Sequence, residues 1–351
     1  MKALFFIFIF IVIAVGFWQV VKILGLLKKD QVATEKENNI NGWLMLGLMG
    51  FLYCLMFVSL FRGRHVLLPQ QSASLEGEHI DNLFKMTMGL IMFVQFVTQF
   101  LIFYFTFKYR GKDKKVKATF FADSHKLEMF WTIIPTIVLT GLIIYGIWTW
   151  NLVTDVTNKD QNPIYIELYA KQFQWEARYA GADNILGEAN VRNIKGINTM
   201  GVDMNDKNSA DDKTVLREIH LPKDRKVIFQ IRSQDVLHSA YMPHFRSQMN
   251  CVPGMKTFMG FTPSVTTVDM RKDDDIIKKM AGIKEVRDAK SKALVAKGED
   301  ALEPYEFDYL LLCNKICGSS HYNMQMKIVV EEEADFNKWL ASKQTLSQVL
   351  K

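Results

Sequence analysis

The sequence predicts transmembrane α-helices, four spans of them, followed by an all-β domain of sandwich or barrel type. Three observations carry that reading. Four long apolar runs separated by short charged stretches occupy the chain from Ala3 to Trp150. From Asn151 onward the pattern changes to short alternating segments punctuated by proline and glycine. Two cysteines, a histidine and a methionine then crowd between Cys313 and Met324.

The first run, Ala3 to Val21, contains no charge. About 20 apolar residues suffice to cross a bilayer. A second run covers Trp43 to Phe61, a third Met86 to Phe107 and a fourth Met129 to Trp150. A buried core helix would account for one such run, but four with charged punctuation read as spans. Trp43, Tyr109, Trp148 and Trp150 sit near the run ends, as interfacial belts require.

Charge sets the expected orientation. The connection after the first run carries Lys28, Lys29 and Lys36, and the one after the third carries Lys108, Arg110, Lys112, Lys114, Lys115, Lys117 and Lys126. The connection between them has only Arg62, Arg64 and Lys85, offset by Glu76, Glu78 and Asp81. The positive-inside rule puts the first and third connections in the cytoplasm and both termini outside. Lys2 followed by an apolar run also has the look of a signal peptide. Its removal would turn the most basic connection outward, against the rule. The expectation is a multi-pass protein of the inner (plasma) membrane, with its C-terminal domain on the periplasmic or outer face. The net charge of +6 sits where topology wants it. With no basic, aromatic-interleaved motif, nucleic acid is not an expected partner.

The expected domains are an extra N-terminal transmembrane hairpin at 1–65, a second hairpin at 66–152 and an exported domain at 153–351. In the last, Pro163 to Tyr179, Lys226 to Arg232, Tyr305 to Cys313 and Met324 to Val330 read as strands, suggesting an antiparallel sandwich or barrel. Two insertions interrupt them. Residues near 183–212 are rich in Asn, Asp and Gly and read as a long loop; those near 273–300 are charged and read as a surface helix pair. Glu333 to Lys343 reads as a closing helix, with Phe336 and Leu340 on one face.

The chemistry concentrates in Cys313-Asn-Lys-Ile-Cys317-Gly-Ser-Ser-His321-Tyr-Asn-Met324. Two thiolates with an imidazole and a thioether make a soft donor set, suited to copper far better than to magnesium or calcium. A disulfide would explain the cysteines but not the regular histidine and methionine. Of the four cysteines, Cys54 lies in an apolar run as a small hydrophobe. Cys251, Cys313 and Cys317 remain, an odd number that argues against a disulfide framework. The cluster lacks one strong donor, and the candidate is His238 in Asp235-Val-Leu-His-Ser-Ala-Tyr-Met-Pro243, with His244 a rival beyond the proline. A lone histidine in an apolar loop can equally be a hydrogen-bonded core residue.

Cys-x-x-x-Cys-x-x-x-His-x-x-Met, preceded by Asp-Val-x-His-Ser, resembles subunit II of the haem–copper cytochrome c oxidases. The resemblance runs from about Phe84 to the C-terminus. It includes Glu128-Met-Phe-Trp131-Thr-Ile-Ile-Pro135, Gln172-Phe-Gln-Trp175 and Val252-Pro253-Gly254. It implies a cupredoxin-like barrel carrying a dinuclear copper centre, CuA, in which Cys313 and Cys317 bridge two coppers. His238 and His321 would each bind one, with the Met324 sulfur and the Lys315 carbonyl as weak axial donors. Glu128 would stand at the cytoplasmic mouth of a proton path, although a carboxylate at a helix N-terminus is favourable in any case. Trp175 would belong to the aromatic region that receives electrons, with Phe173 where the family commonly has tryptophan. The implied partners are the haem-bearing subunit I and other oxidase subunits, a cytochrome c or cytochrome c domain, and membrane lipid. A respiratory supercomplex is left open.

Three departures qualify the likeness. Lys315 stands where glutamate is common and where the carboxylate reaches a magnesium, so no magnesium is predicted. Asn250-Cys251 replaces a common Asp-Ala, so the acidic docking surface is expected to differ, and Cys251 is read as a non-ligand. The first two spans have no counterpart and are expected to pack against a neighbouring subunit. No Cys-x-x-Cys-His occurs, so no haem is expected in this chain. The rival from another class is a membrane-anchored copper chaperone for oxidase assembly, which needs neither Met324 nor the histidine four residues past the second cysteine. Quinol oxidase subunits lack the ligands altogether. Nitrous oxide reductase needs a histidine-rich cluster that seven histidines do not supply.

Overall fold

The computed structural model describes residues 2–29, 33–63, 71–113, 115–155 and 162–349. The expected boundary at 65–66, and Arg64 and Lys114, lie outside them. Four long helices come first: α1 (Lys2–Lys29), α2 (Glu35–Gly63), α3 (Leu75–Lys108) and α4 (His125–Thr154). Each overshoots its apolar run at one end or both. By length and composition α2, α3 and α4 can cross a membrane; in α1 the apolar stretch spans Ile9–Lys22.

The chain divides into two compact units, one made of Met1–Arg62 with Gly89–Met129, the other of Gly63–Met88 with Phe130–Lys351. In the first, Thr34 and Glu37 form a reciprocal capping box at the start of α2, with Glu37 N–H donating to Thr34 Oγ1 at 3.3 Å and Thr34 N–H to Glu37 Oε2 at 3.0 Å. α2 packs along the chain's own α3. Trp43 meets Phe107 edge-on at 4.8 Å, and Tyr53 stacks on Phe96 at 5.1 Å.

The second unit holds a β-sandwich. Its first sheet contains β1 (Ile164–Lys171), β2 (Gln174–Tyr179), β3 (Lys213–Val215), β5 (Val227–Ser233) and β8 (Thr257–Phe261), in the order β3-β2-β1-β5-β8. The second contains β4 (Glu218–Pro222), β6 (His238–Met242), β7 (Ser247–Cys251), β9 (Tyr309–Cys313) and β10 (Gln325–Glu331), in the order β4-β10-β9-β6-β7. The inner faces of both build one core around Ile166, Leu168, Phe229, Phe261, Tyr309 and Ile328. The sheets are mixed, not antiparallel as expected: β1 runs parallel to β5, and β4 to β10. Alternation in the sequence reports which side chains face inward, not the direction of the neighbouring strand.

The outer face of the first sheet is buried too. The 183–212 loop lays Met200 and Val202 over Tyr169, with Leu346 from the C-terminal end. Beneath it Arg178 bonds Glu167 and Asp212, and Arg232 bonds Glu167; Arg178, Glu167 and Asp212 are fully buried. The 273–300 segment holds one helix, α6 (Asp274–Val295), after the short α5 (Thr267–Met270), instead of the expected helix pair. Its Ala- and Lys-rich composition sustains a single run that continues through the isolated Gly282 and ends shortly before Gly298. The closing helix is present as α7 (Glu333–Ala341), with Phe336 buried, followed by α8 (Leu346–Val349). At the start of α3, Glu76 pairs with Lys226 at 2.6 Å and Asp81 with Arg246 at 2.8 Å, so acidic residues of that connection tie it to the sandwich.

Candidate metal centre

Two strand ends and one returning loop assemble the predicted donors. β6 and β9 are antiparallel neighbours, with Ala240 opposite Cys313, so His238 at the head of β6 lies beside the end of β9. The chain leaves β9 at Cys313, turns through a short 3₁₀ segment at His321–Asn323 and re-enters the sheet at β10. Cys313 N–H donates to the Met324 carbonyl at 3.1 Å, which closes that loop at its neck.

His238 is fully buried, and its Nδ1 stands 3.8 Å from Cys313 Sγ. The two sulfurs are 3.9 Å apart and unbonded. Cys317 Sγ lies 3.5 Å from His321 Nδ1 and 3.8 Å from Met324 Sδ. The Lys315 carbonyl is turned inward to accept from Cys313 Sγ at 3.2 Å while its residue stays exposed. Donor atoms of His238, Cys313 and Cys317 all lie within 4.8 Å of one another. Among the described residues this is the one group of histidine, cysteine and carboxylate donors tight enough for a metal. Burial, and after it the adjoining Cys313, push the Cys317 thiol up to about 11. A bound cation would reverse that bias, since metals take cysteine as thiolate. Soft sulfur and imidazole donors with no carboxylate fit copper and not a hard cation.

His244, the rival ligand, is absent from this group. It sits in the turn after β6, its ring edge-on to Phe307 at 5.1 Å and near Tyr309 at 5.6 Å. Burial, then Lys279 and Arg246, pull its imidazole down to about 4 from 6.5. The fold therefore favours the neutral ring. That contribution is complete above pH 6.5 and is lost as pH falls toward 4. Melts of the full chain are expected to show this acid-side loss, and His244→Phe to remove it. An equal loss in the variant would assign it to other groups. Cys251 is fully buried opposite His238 in the β6–β7 register, and burial raises its thiol to about 12.

Trp175 does not reach the surface: it is 1% exposed, with its ring 6.3 Å from that of His238. The half-buried aromatic of the β1–β2 hairpin is Phe173, with the Trp175 ring behind it beside the histidine. Glu128 lies in the first turn of α4, in the other compact unit, 3.3 Å from His125 Nδ1 and half exposed. Sequence reasoning also missed Asp235 and Gln172, which touch the centre from outside. Both stood inside quoted motifs, but nothing in their spacing marks them as neighbours.

The sequence model described as "Cytochrome C oxidase subunit II, transmembrane domain" matches residues 64–148. Over a longer stretch, the chain is 27% identical over 270 residues to the alternative cytochrome c oxidase subunit 2 of Bradyrhizobium diazoefficiens, covering 77% of this chain and 82% of the relative. The chain is therefore similar to cytochrome c oxidase subunit 2 proteins over most of its length. Other such proteins are similar at greater distance. Cytochrome c oxidase subunit 2 of a Synechocystis strain is 20% identical, with 81% and 78% of the two chains covered. That of Thermostichus vulcanus is 22% identical, with 81% and 80% covered. The likeness to the subunit II family spans both the helices and most of the sandwich.

Proposed function

We propose that this chain is subunit II of a membrane cytochrome c oxidase. In that reading it accepts electrons from a cytochrome c, or a cytochrome c domain, at a dinuclear copper centre and passes them to the haem-bearing subunit that reduces oxygen to water. The observation that carries the reading is the convergence of His238, Cys313 and Cys317 within 4.8 Å, with His321 and Met324 against the same sulfur. Cys313 and Cys317 would bridge the metals, His238 and His321 would each hold one, and Met324 and the Lys315 carbonyl would complete the set. When bound, the copper pair supplies a one-electron site.

The chain's own task is to hold that donor set still and dry. Cys317 and Met324 are buried, and two strands and the loop neck fix the remaining donors. Ile316 and Tyr322 on the same loop are 86% and 87% exposed, an apolar rim for a donor protein to meet. The cupredoxin-like character of the sandwich, four spans with that domain on the periplasmic face, and subunit I as neighbour belong to the same reading. Purified oxidase containing this chain is expected to carry two coppers per chain and the purple mixed-valence spectrum of a thiolate-bridged pair. One copper, or none, would end the proposal.

Glu128 has a separate expected role at the mouth of a proton path. Glu128→Gln in the assembled complex should slow proton-coupled turnover while leaving the copper spectrum unchanged. Unaltered turnover would reduce Glu128 to a favourable charge at the start of a helix.

A further inference from the structure

The centre is held from outside by the β1–β2 turn and one carboxylate. Asp235, three residues before His238, accepts from His238 Nε2 through Oδ1 at 2.8 Å. The same oxygen accepts from Val236 N–H at 2.7 Å, and Oδ2 accepts from Gln172 N–H at 2.7 Å. Both oxygens are thus committed, two of their three donors being main chain, so the carboxylate has little freedom to swing away. Gln172 lies in the turn between β1 and β2, and its side-chain amide donates to the Cys317 carbonyl. Phe173, next in that turn, closes over Gly318. A Cβ built on Gly318 would stand 2.8 Å from the Phe173 ring and 3.0 Å from Gln172 Nε2, and its φ of +143° already excludes most side chains. Main chain and turn meet there with no room for anything larger than glycine.

We infer that Asp235 is a positioning residue of the metal centre. It holds His238 with the proton on Nε2 and Nδ1 bare, and links that histidine through the β1–β2 turn to the Cys317 side of the loop. An imidazole can bind a metal through either nitrogen, and the hydrogen bond made by the other selects which one. Here the free nitrogen is Nδ1, the one facing Cys313 Sγ. Asp235 and Gln172 together fix the two halves of the donor set, one on β6 and one on the loop after β9, to a single rigid turn. The inference rests on the proposed copper site only for the ligand roles of His238 and Cys317; the geometry of Asp235 and the turn does not depend on it.

The test uses the full chain, ¹⁵N-labelled at histidine and free of metal, together with the copper-loaded oxidase. In the metal-free wild type, the ¹⁵N shifts of His238 should report one tautomer, protonated on Nε2. In Asp235→Ala they should report a mixture, and Asp235→Asn, whose amide oxygen can still accept, should restore the single form. In the loaded oxidase, Asp235→Ala should weaken copper retention by about 10- to 100-fold, as loss of an outer hydrogen bond to a ligand does. The copper hyperfine pattern should change with it. Gln172→Ala should disturb that pattern and leave the His238 tautomer intact. A wild type protonated mainly on Nδ1 overturns the inference without any variant. So does an Asp235→Ala oxidase with unaltered spectrum and copper retention that changes only the KM for its cytochrome and its salt dependence, since Asp235 would then be a docking charge. A wild type that takes up no copper pair refutes the proposed function, while the metal-free tautomer still decides the role of Asp235.

Discussion

Cys317→Ser in the assembled oxidase is expected to lose the bridged copper pair and to slow electron uptake from a cytochrome donor by about a hundredfold or more. Loss of a mere outer partner of a ligand already costs about 10- to 100-fold in metal affinity or activity. Cys317 is a direct donor, and its sulfur lies within 4 Å of Cys313 Sγ, His321 Nδ1 and Met324 Sδ alike. A serine hydroxyl is hard, resists ionisation and does not bridge two coppers. The substitution is nearly isosteric, and the loop neck between Cys313 N–H and the Met324 carbonyl is untouched, so the sandwich should stay folded. Metal analysis with stopped-flow reduction reads the outcome. A purple spectrum of wild-type strength in the variant would remove Cys317 from the ligand set.

Arg178→Met is expected to give the largest loss of stability. Arg178 is fully buried and pairs with Glu167 at 2.6 Å and Asp212 at 2.5 Å, and it also donates to the Gly187 carbonyl at 2.9 Å. Glu167 keeps Arg232, and its two arginines hold its carboxyl below the usual range in spite of burial. Among the described residues Asp212 has no second cation, and burial pushes it up to about 7 even with Arg178 in place. Removing one partner of a buried pair leaves a charge unpaired, at about 3–5 kcal/mol. At roughly 2–4 °C per kcal/mol for a domain of this size, that lowers the melting temperature by about 6–20 °C. The deficit should be greatest above pH 7 and shrink as pH falls, because a protonated carboxyl is cheaper to bury than an ionised one. A variant melting within a degree or two of the wild type would show the network to be replaceable by apolar packing.

The network also marks where sequence reasoning stopped. Glu167, Arg178 and Arg232 fall among the alternating residues of β1, β2 and β5, on the face that a reading of one buried side assigns to water. The Asn- and Asp-rich loop that covers them reads as solvent-exposed chain, and only its folding back over Tyr169 makes those charges interior. Asp235 and Gln172 are a similar case: 63 residues separate them, and the bond between them exists only because β1 and β5 pair in parallel.

The sequence by itself determined the membrane helices, the change to a β domain at Asn151 and the soft donor set from Cys313 to Met324. These are signals of composition and short spacing: a bilayer demands a long apolar run, and a metal demands donor types that no other packing role requires together. His238 could be nominated by pattern, but its choice over His244 was decided by strand register. β6 and β9 pair so that His238 meets Cys313, while His244 ends up against Phe307 and Tyr309. The direction of the strands, the burial of Trp175 behind the histidine and the hold of Asp235 on His238 Nε2 also came from tertiary structure alone. Each depends on which distant segments meet, and hydrophobic periodicity records only that a side chain is buried, not what lies on the other side of it.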